Sequence, residues 1–295
     1  MGNSNLISAQ ELVSCIDDPR VRILDCRFDL ADVSAGRRAY RDGHIPGALF
    51  ADLDKDLSAP VSSHSGRHPL PDVNVLAATF GRLGIARTTD VVVYDGANGG
   101  LAARAWWLLR WLGHGRVRLL DGGYEYWRSS GFAVSSGNER VAAENFNAQP
   151  CSEKILTTAE LASDIDAIVD MQLIDARDAV RFRGEMEPID AVAGHIPGAR
   201  NLPYQCSLND DGRWKARTGL VALWQRVLGD DREGAWAVMC GSGVTACHLA
   251  ISALEAGYTE PRLYVGSWSE WIRDPERPVG LGAGLNRGPQ PADMA

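Results

Sequence analysis

One cysteine in this chain stands where a cysteine can do chemistry. In AVMCGSGVTACHLA (Ala237–Ala250) an apolar strand ends at Cys240, the loop Gly241-Ser242-Gly243 follows, and a helix is expected to start near Val244. Glycines let the backbone turn sharply and aim successive N–H groups inward. Together with the positive end of the following helix they make a nest for an anion. Such a field favours thiolate over thiol, and the thiolate is the nucleophile. Taken alone, a cysteine at a strand end is more often a small buried hydrophobe than a catalyst. The glycine loop and the helix start weigh against that reading.

The elements that must position this loop occur twice. The string GHIPGA stands at Gly43–Ala48 and again at Gly194–Ala199, 151 residues on. Each copy follows a short apolar strand ending in an acid, VRILDCR (Val21–Arg27) and MQLIDAR (Met171–Arg177). DVVVYDG (Asp90–Gly96) corresponds to WAVMCGS (Trp236–Ser242), and LLDGGYEYW (Leu119–Trp127) to LYVGSWSEW (Leu263–Trp271). Several anchors in the same order at a nearly constant offset argue for duplication of a whole domain. Helical patterns (NVLAATFGRLG and LAARAWWLLRWLG, then TGLVALWQRVLG and VTACHLAISALEAG) alternate with runs rich in β-branched residues. That alternation predicts an α/β fold of two tandem domains, each a mainly parallel sheet flanked by helices. The expected division is 1–135 for the first domain, 136–154 for a linker, 155–280 for the second domain and 281–295 for a Gly- and Pro-rich tail.

Composition narrows the class. A chain of 295 residues suits two domains, and 45% hydrophobic with 23% charged residues suits packed cores with a wetted surface. The net charge of -8 gives no general attraction to nucleic acid. No apolar run is long enough to span a membrane, and the N-terminus lacks a secretory pattern. Six scattered cysteines fit neither a disulfide scaffold nor a zinc site, so a reducing cytoplasm is expected.

Strand-CGSGVTA-helix, preceded by DAR…RFRGE…GHIPGA and followed by YVGSWSEW, resembles the catalytic domain of rhodanese-family sulfurtransferases. The first half resembles the non-catalytic domain of the same proteins. The resemblance covers nearly the whole chain and implies two rhodanese-like domains. It also implies a reaction in two halves: the Cys240 thiolate takes sulfur from a small donor as a persulfide, then passes it to a thiol, a thioredoxin-like protein or cyanide. Ping-pong kinetics follow from such covalent catalysis. No metal or organic cofactor is implied, and the expected state is a monomer or weak dimer. Asp95 stands at the loop position of Cys240 in the first copy, so one active site per chain is expected.

The resemblance also bears on the donor. Thiosulfate enzymes of the family typically carry two cations in the loop, whereas enzymes similar to 3-mercaptopyruvate sulfurtransferase carry the uncharged CGSGVT. The uncharged loop points to mercaptopyruvate, with thiosulfate the alternative. Gly241, Gly243, Val244 and Thr245 of the loop would then bind substrate. A carboxylate-bearing donor needs a clamp, which the family supplies as two arginines. Arg181 matches the first, but Ile189 or Asp190 stands where the second is expected; Arg183 is nearby. Ser242, with His68 and Asp54 from the strings GRHPLP and FADLDKD, matches a proposed serine–histidine–aspartate relay for the thiol proton. His44 and His195 recur in both copies and are expected to be structural, Cys247 to be a core position, and Trp106, Trp107 and Trp111 to pack the core. Two rivals remain. A cysteine phosphatase needs Arg six residues after the cysteine, where this chain has Ala246. A non-enzymatic rhodanese-like module commonly lacks the cysteine altogether.

Overall fold

A computed structural model describes residues 4–163 and 171–284. The chain forms two compact units. One comprises Met1–Pro60, Leu70–Cys151 and Asp210–Trp214; the other comprises Val61–Pro69, Ser152–Asn209 and Lys215–Ala295.

The first unit carries β1 (Leu6–Ile7), α1 (Ala9–Cys15), β2 (Val21–Asp25), α2 (Ala35–Asp42), β3 (Ala48–Phe50), α3 (Val73–Arg82), β4 (Asp90–Tyr94), α4 (Ala102–Trp111), β5 (Val117–Leu120) and α5 (Gly123–Ser129). Its strands lie in the order β1-β5-β4-β2-β3 and all pair in parallel. The second unit carries β6 (Ile155–Leu156), α6 (Thr158–Ser163), β7 (Leu173–Asp175), α7 (Ala179–Phe182), β8 (Arg200–Asn201), α8 (Arg217–Leu228), β9 (Ala237–Met239), α9 (Ala246–Ala256), β10 (Arg262–Tyr264) and α10 (Ser267–Trp271). Its order, β6-β10-β9-β7-β8, repeats the first. The duplication legible in the motifs is thus a duplication of topology. β4 and β9 are the central strands, and Cys240 follows β9 directly.

The strands are apolar because both faces are covered. Val91, Val92 and Val93 of β4 and Ala237, Val238 and Met239 of β9 are all buried. Trp106 and Trp107 are fully buried and Trp111 nearly so, as expected of core residues. Cys247 is fully buried too, its Sγ turned to the Gly243 carbonyl at 3.4 Å. Helix α9 begins at Ala246, two residues beyond the expected start, and ends on Gly257 in the left-handed conformation (φ +87).

The segment expected to link the domains is an extended strap on the first unit. Glu144 N–H donates to the Gly81 carbonyl, Gln149 N–H to Leu112, and Cys151 N–H to Trp111, while Phe146 is buried against Phe80. Of the expected tail, residues 285–295 lie outside the described residues.

The paired motifs are braces. In Asp25-Cys26-Arg27 and Asp175-Ala176-Arg177 the arginine folds back on the aspartate and reaches the carbonyl of the glycine that opens GHIPGA. Arg27 Nη2 lies 2.6 Å from Gly43 O, and Arg177 Nη2 lies 2.7 Å from Gly194 O. The histidines of those turns are structural, as expected. His44 Nδ1 meets the Tyr40 carbonyl at 2.7 Å and stacks on the Tyr40 ring; His195 Nδ1 meets the Phe182 carbonyl at 2.8 Å and stacks on Phe182.

Burial pushes the His195 imidazole below its ordinary pKa of 6.5. The unfolded chain therefore takes up this proton before the folded one does. Stability should fall as pH drops below about 6.5, by up to about 1.4 kcal/mol per pH unit for one such histidine. His114, also held down mainly by burial, adds to the same slope. Urea midpoints measured from pH 8 to 5 should show this loss, with a shallower fall in His195→Asn.

Candidate active site

Two backbone hydrogen bonds that hold the loop at Cys240 have counterparts at Asp95. In the first unit, Tyr124 N–H donates to Asp95 O at 2.9 Å and Glu125 N–H to Gly96 O at 2.8 Å. In the second, Trp268 N–H donates to Cys240 O at 3.0 Å and Ser269 N–H to Gly241 O at 2.9 Å. The SWSEW motif is thus the clamp that fixes the loop, through the first turn of α10.

What the loop does is visible at Asp95. Its Oδ1 accepts from the N–H groups of Ala97 (3.2 Å) and Gly99 (2.9 Å), and its Oδ2 from those of Leu101 (2.8 Å) and Ala102 (3.1 Å). Four converging N–H groups hold one carboxylate. The loop is an anion nest, and in the first unit its own side chain fills it. In the second unit the residue at that position is a buried cysteine, followed by Gly243 in the left-handed conformation (φ +74) and the N-terminus of the eleven-residue α9. A loop that surrounds a carboxylate in one copy suits a thiolate or a persulfide in the other.

Ser267 was not legible from the motifs as a functional position. It is a non-glycine residue at φ +53, a conformation costing about 1–2 kcal/mol. Its counterpart Gly123 sits at φ +57. The serine offsets the strain by bonding: Cys240 N–H donates to its Oγ at 3.1 Å, and that hydroxyl donates to the Tyr264 carbonyl at 2.9 Å. The signal in the sequence was a serine in place of the second glycine of DGGYEYW.

Residues 61–69 belong to this unit although they lie within the first repeat. Gly66 N–H donates to Glu270 Oε2 at 3.3 Å, Arg67 N–H to Ser269 Oγ at 3.0 Å, and Arg273 Nε to the Ser65 carbonyl at 3.0 Å. A side chain at position 66 would strike the Gly266 carbonyl, with 2.7 Å of separation. So held, His68 is buried, and its Nδ1 lies 2.7 Å from Ser242 Oγ. The expected serine–histidine pair is brought together. Asp54 lies in the other unit, in the turn after β3, where its N–H donates to Asp52 Oδ1 at 3.2 Å. Burial and the neighbouring Asp52 push the Asp54 carboxyl up.

Arg181 stands at the C-terminal end of α7, over the loop. Its Nε and Nη2 grip Glu187 Oε1 at 3.0 and 2.7 Å, and Nη2 also reaches Asp190 Oδ2 at 3.1 Å. Arg67, absent from the expected site, pairs its Nη1 with Asp190 Oδ1. A Cβ placed on Gly241 would lie 2.8 Å from Arg67 Nη2 and 3.7 Å from Arg181 Nη2. Two guanidiniums therefore flank the residue that follows Cys240. Burial raises the Asp190 carboxyl against the pull of Arg67. Burial also opposes ionisation of Glu187, yet hydrogen bonds from Arg181, Asp190 and Ile189 bring its carboxyl below the usual range. Arg183 turns away to Glu185 at the surface and takes no part. Val244 is buried and Thr245 half-buried in the loop. Among the described residues, no group of three or more His, Cys, Asp or Glu side chains is arranged to hold a metal ion.

A rhodanese-like domain matches residues 8–130 and again residues 157–274. This chain belongs to the rhodanese family. It is 45% identical over 96% of its length, and 100% of the other's, to a Pseudomonas aeruginosa protein described as a probable 3-mercaptopyruvate sulfurtransferase. To the thiosulfate sulfurtransferase of Gallus gallus it is 34% identical, over 90% of this chain and 93% of that one. The crystal structure of SseA from Escherichia coli, a 3-mercaptopyruvate sulfotransferase, matches with a TM-score of 0.77 at 32% identity, over 91% of this chain and 100% of that one. Among the described residues no helix of this rhodanese-family protein is long and apolar enough to cross a membrane.

Ser267→Ala keeps the strained backbone and orphans the buried Cys240 N–H. It should destabilise the fold by about 2 kcal/mol and lower kcat/KM. Ser267→Gly relieves the strain and should cost less stability with a similar loss of activity. Urea denaturation and initial rates on both variants check this.

Proposed function

We propose that this protein takes sulfur from 3-mercaptopyruvate and passes it to a thiol, a thioredoxin-like protein or cyanide through a persulfide on Cys240. The observation that carries the reading is the uncharged loop with Ser242 bonded to the buried His68. The Cys240 thiolate attacks the sulfur of the donor. The sulfur–carbon bond breaks with its electron pair on carbon, and the proton of the donor thiol ends on that carbon. The products are pyruvate and the Cys240 persulfide anion. The acceptor then attacks the outer sulfur and releases the thiolate. No external oxidant or reductant enters.

Ser242 and His68 are proposed to move the thiol proton, with Asp54 as the third member of the relay. Arg181 binds the donor carboxylate, and the N–H groups of Gly241, Gly243, Val244 and Thr245 hold the sulfur anion. The first domain is proposed to be non-catalytic, because Asp95 fills its own nest. The protein is expected to act in the cytoplasm as a monomer or weak dimer. Thiosulfate is the second reading, favoured by the guanidiniums of Arg67 and Arg181 beside the loop, which suit a dianion.

Cys240→Ser should abolish sulfur transfer and the gain of one sulfur atom seen by mass spectrometry after donor is added. Full activity in that variant would remove Cys240 as nucleophile. kcat/KM should favour mercaptopyruvate over thiosulfate; the reverse preference overturns the donor. His68→Gln should lower kcat with mercaptopyruvate by about a hundredfold or more. It should harm thiosulfate turnover far less, because the sulfur transferred from thiosulfate carries no proton. Equal losses on both donors would exclude the relay.

A further inference from the structure

We propose that the amino edge of the first unit's sheet holds a second binding site, built around His114, for a small dianionic oxyanion: phosphate or a phosphate monoester. The site stands apart from the reading of Cys240. It lies where β4 and β5 begin, at the opposite end of β4 from the Asp95 loop.

Two adjoining cavities open there. One, of about 230 Å³, is lined by Arg87, His114, Arg116, Phe146, Asn147 and Gln149. The other, of about 330 Å³, shares Gly115 and Arg116 with it and adds Arg110, Arg118 and Asp90. Four guanidiniums thus line the pair against one carboxylate, in a chain whose net charge is -8. Asp90 answers only Arg116, at 2.6 Å. Glu11 feels the charge of Arg118, but its carboxylate is taken by Ser8. Among the described residues, Arg87 and Arg118 form no ion pair. His114 is 5% exposed. The backbone of Thr89 and of Arg116 holds its ring, yet its Nε2 is buried without a hydrogen-bond partner. Such an atom costs stability until something bonds it. An imidazole nitrogen can donate or accept, and a phosphate offers both an oxygen that accepts and a hydroxyl that donates. Guanidiniums supply the charge-assisted bonds to the same oxygens.

The second unit shows what this edge looks like when it serves structure alone. The glycines that end α4 and α9, Gly113 (φ +84) and Gly257 (φ +87), correspond, and the next residues run in register. Tyr258 stands at the place of His114, and its hydroxyl donates to the Gly229 carbonyl at 2.6 Å. Glu260 stands at the place of Arg116 and pairs with Lys154 at 2.9 Å. Arg262 stands at the place of Arg118 and is spent on the Ile155 carbonyl and Glu160, each at 2.6 Å. One copy closes its edge with matched partners. The other sets an unbonded imidazole nitrogen and two unpaired arginines beside open space, and a dianion supplies what is missing.

The test follows the imidazole proton–nitrogen signals of the six histidines by NMR. Sodium phosphate, sodium sulfate or adenosine monophosphate is added to the full chain at constant ionic strength, so that general screening does not change. The His114 signal is the one missing from His114→Gln. It should move saturably with phosphate and with sulfate. Binding should weaken by roughly tenfold or more in Arg87→Gln and in Arg118→Gln. Neither side chain is buried or paired, so both variants should keep the fold. Arg87→Lys keeps the charge without the planar edge and should fall between. Binding of the monoester at least roughly tenfold tighter than free phosphate would make the ligand an organic phosphate; equal binding would make it the free anion. A His114 signal that phosphate and sulfate leave in place overturns the site. So does an affinity unchanged in the double variant Arg87→Gln/Arg118→Gln. None of these readouts uses sulfur transfer, so either result leaves the reading of Cys240 as it was.

Discussion

A ring of inward-facing N–H groups at the end of a central strand must have an anion, or it stands as a set of buried, unpaired donors. Much of this protein is arranged around that requirement. In one unit the chain meets it with Asp95, whose carboxylate accepts four N–H groups. In the other, Cys240 occupies the position. The helix that follows, a glycine in the left-handed conformation and a clamp from the next short helix, α5 in one unit and α10 in the other, serve the loop in each. The duplicated fold thus closes one loop with its own carboxylate and sets a cysteine at the same place in the other.

Around the reactive loop the charges are balanced rather than merely positive. Glu187 steadies Arg181 and touches Arg177, while Asp190 joins Arg181 to Arg67. Buried guanidiniums without such partners would be strongly destabilising.

The fold was legible because its signals are local. Short apolar runs, glycine-ended helices and a twice-written GHIPGA follow from strand burial and turn geometry, which act over a few residues. The places of Cys240, Ser242 and Arg181 in the fold were legible for the same reason, each belonging to a short string with a defined position on an element. Arg67 was not, because its role depends on residues 61–69 packing against α10, more than 200 positions along the chain. The gap at Ile189 and Asp190, where an arginine was expected, was visible; the string GRHPLP was read only for His68. Ser267 escaped because a serine at positive φ looks like any serine until the backbone is seen.

Residues 61–69 also bear on how the protein can be taken apart. They are encoded with the first repeat, yet they pack as part of the second unit, latched by Glu270, Ser269 and Arg273. A fragment holding only the second repeat would keep Cys240 but lose His68 and Arg67, and would uncover the face of α10 on which they rest. The sequence is a tandem copy; the packing is not modular. With residues 61–69 latched onto the second unit, the second repeat taken alone would lack part of its own packing. Such a splice would bind the duplication together as one functional piece.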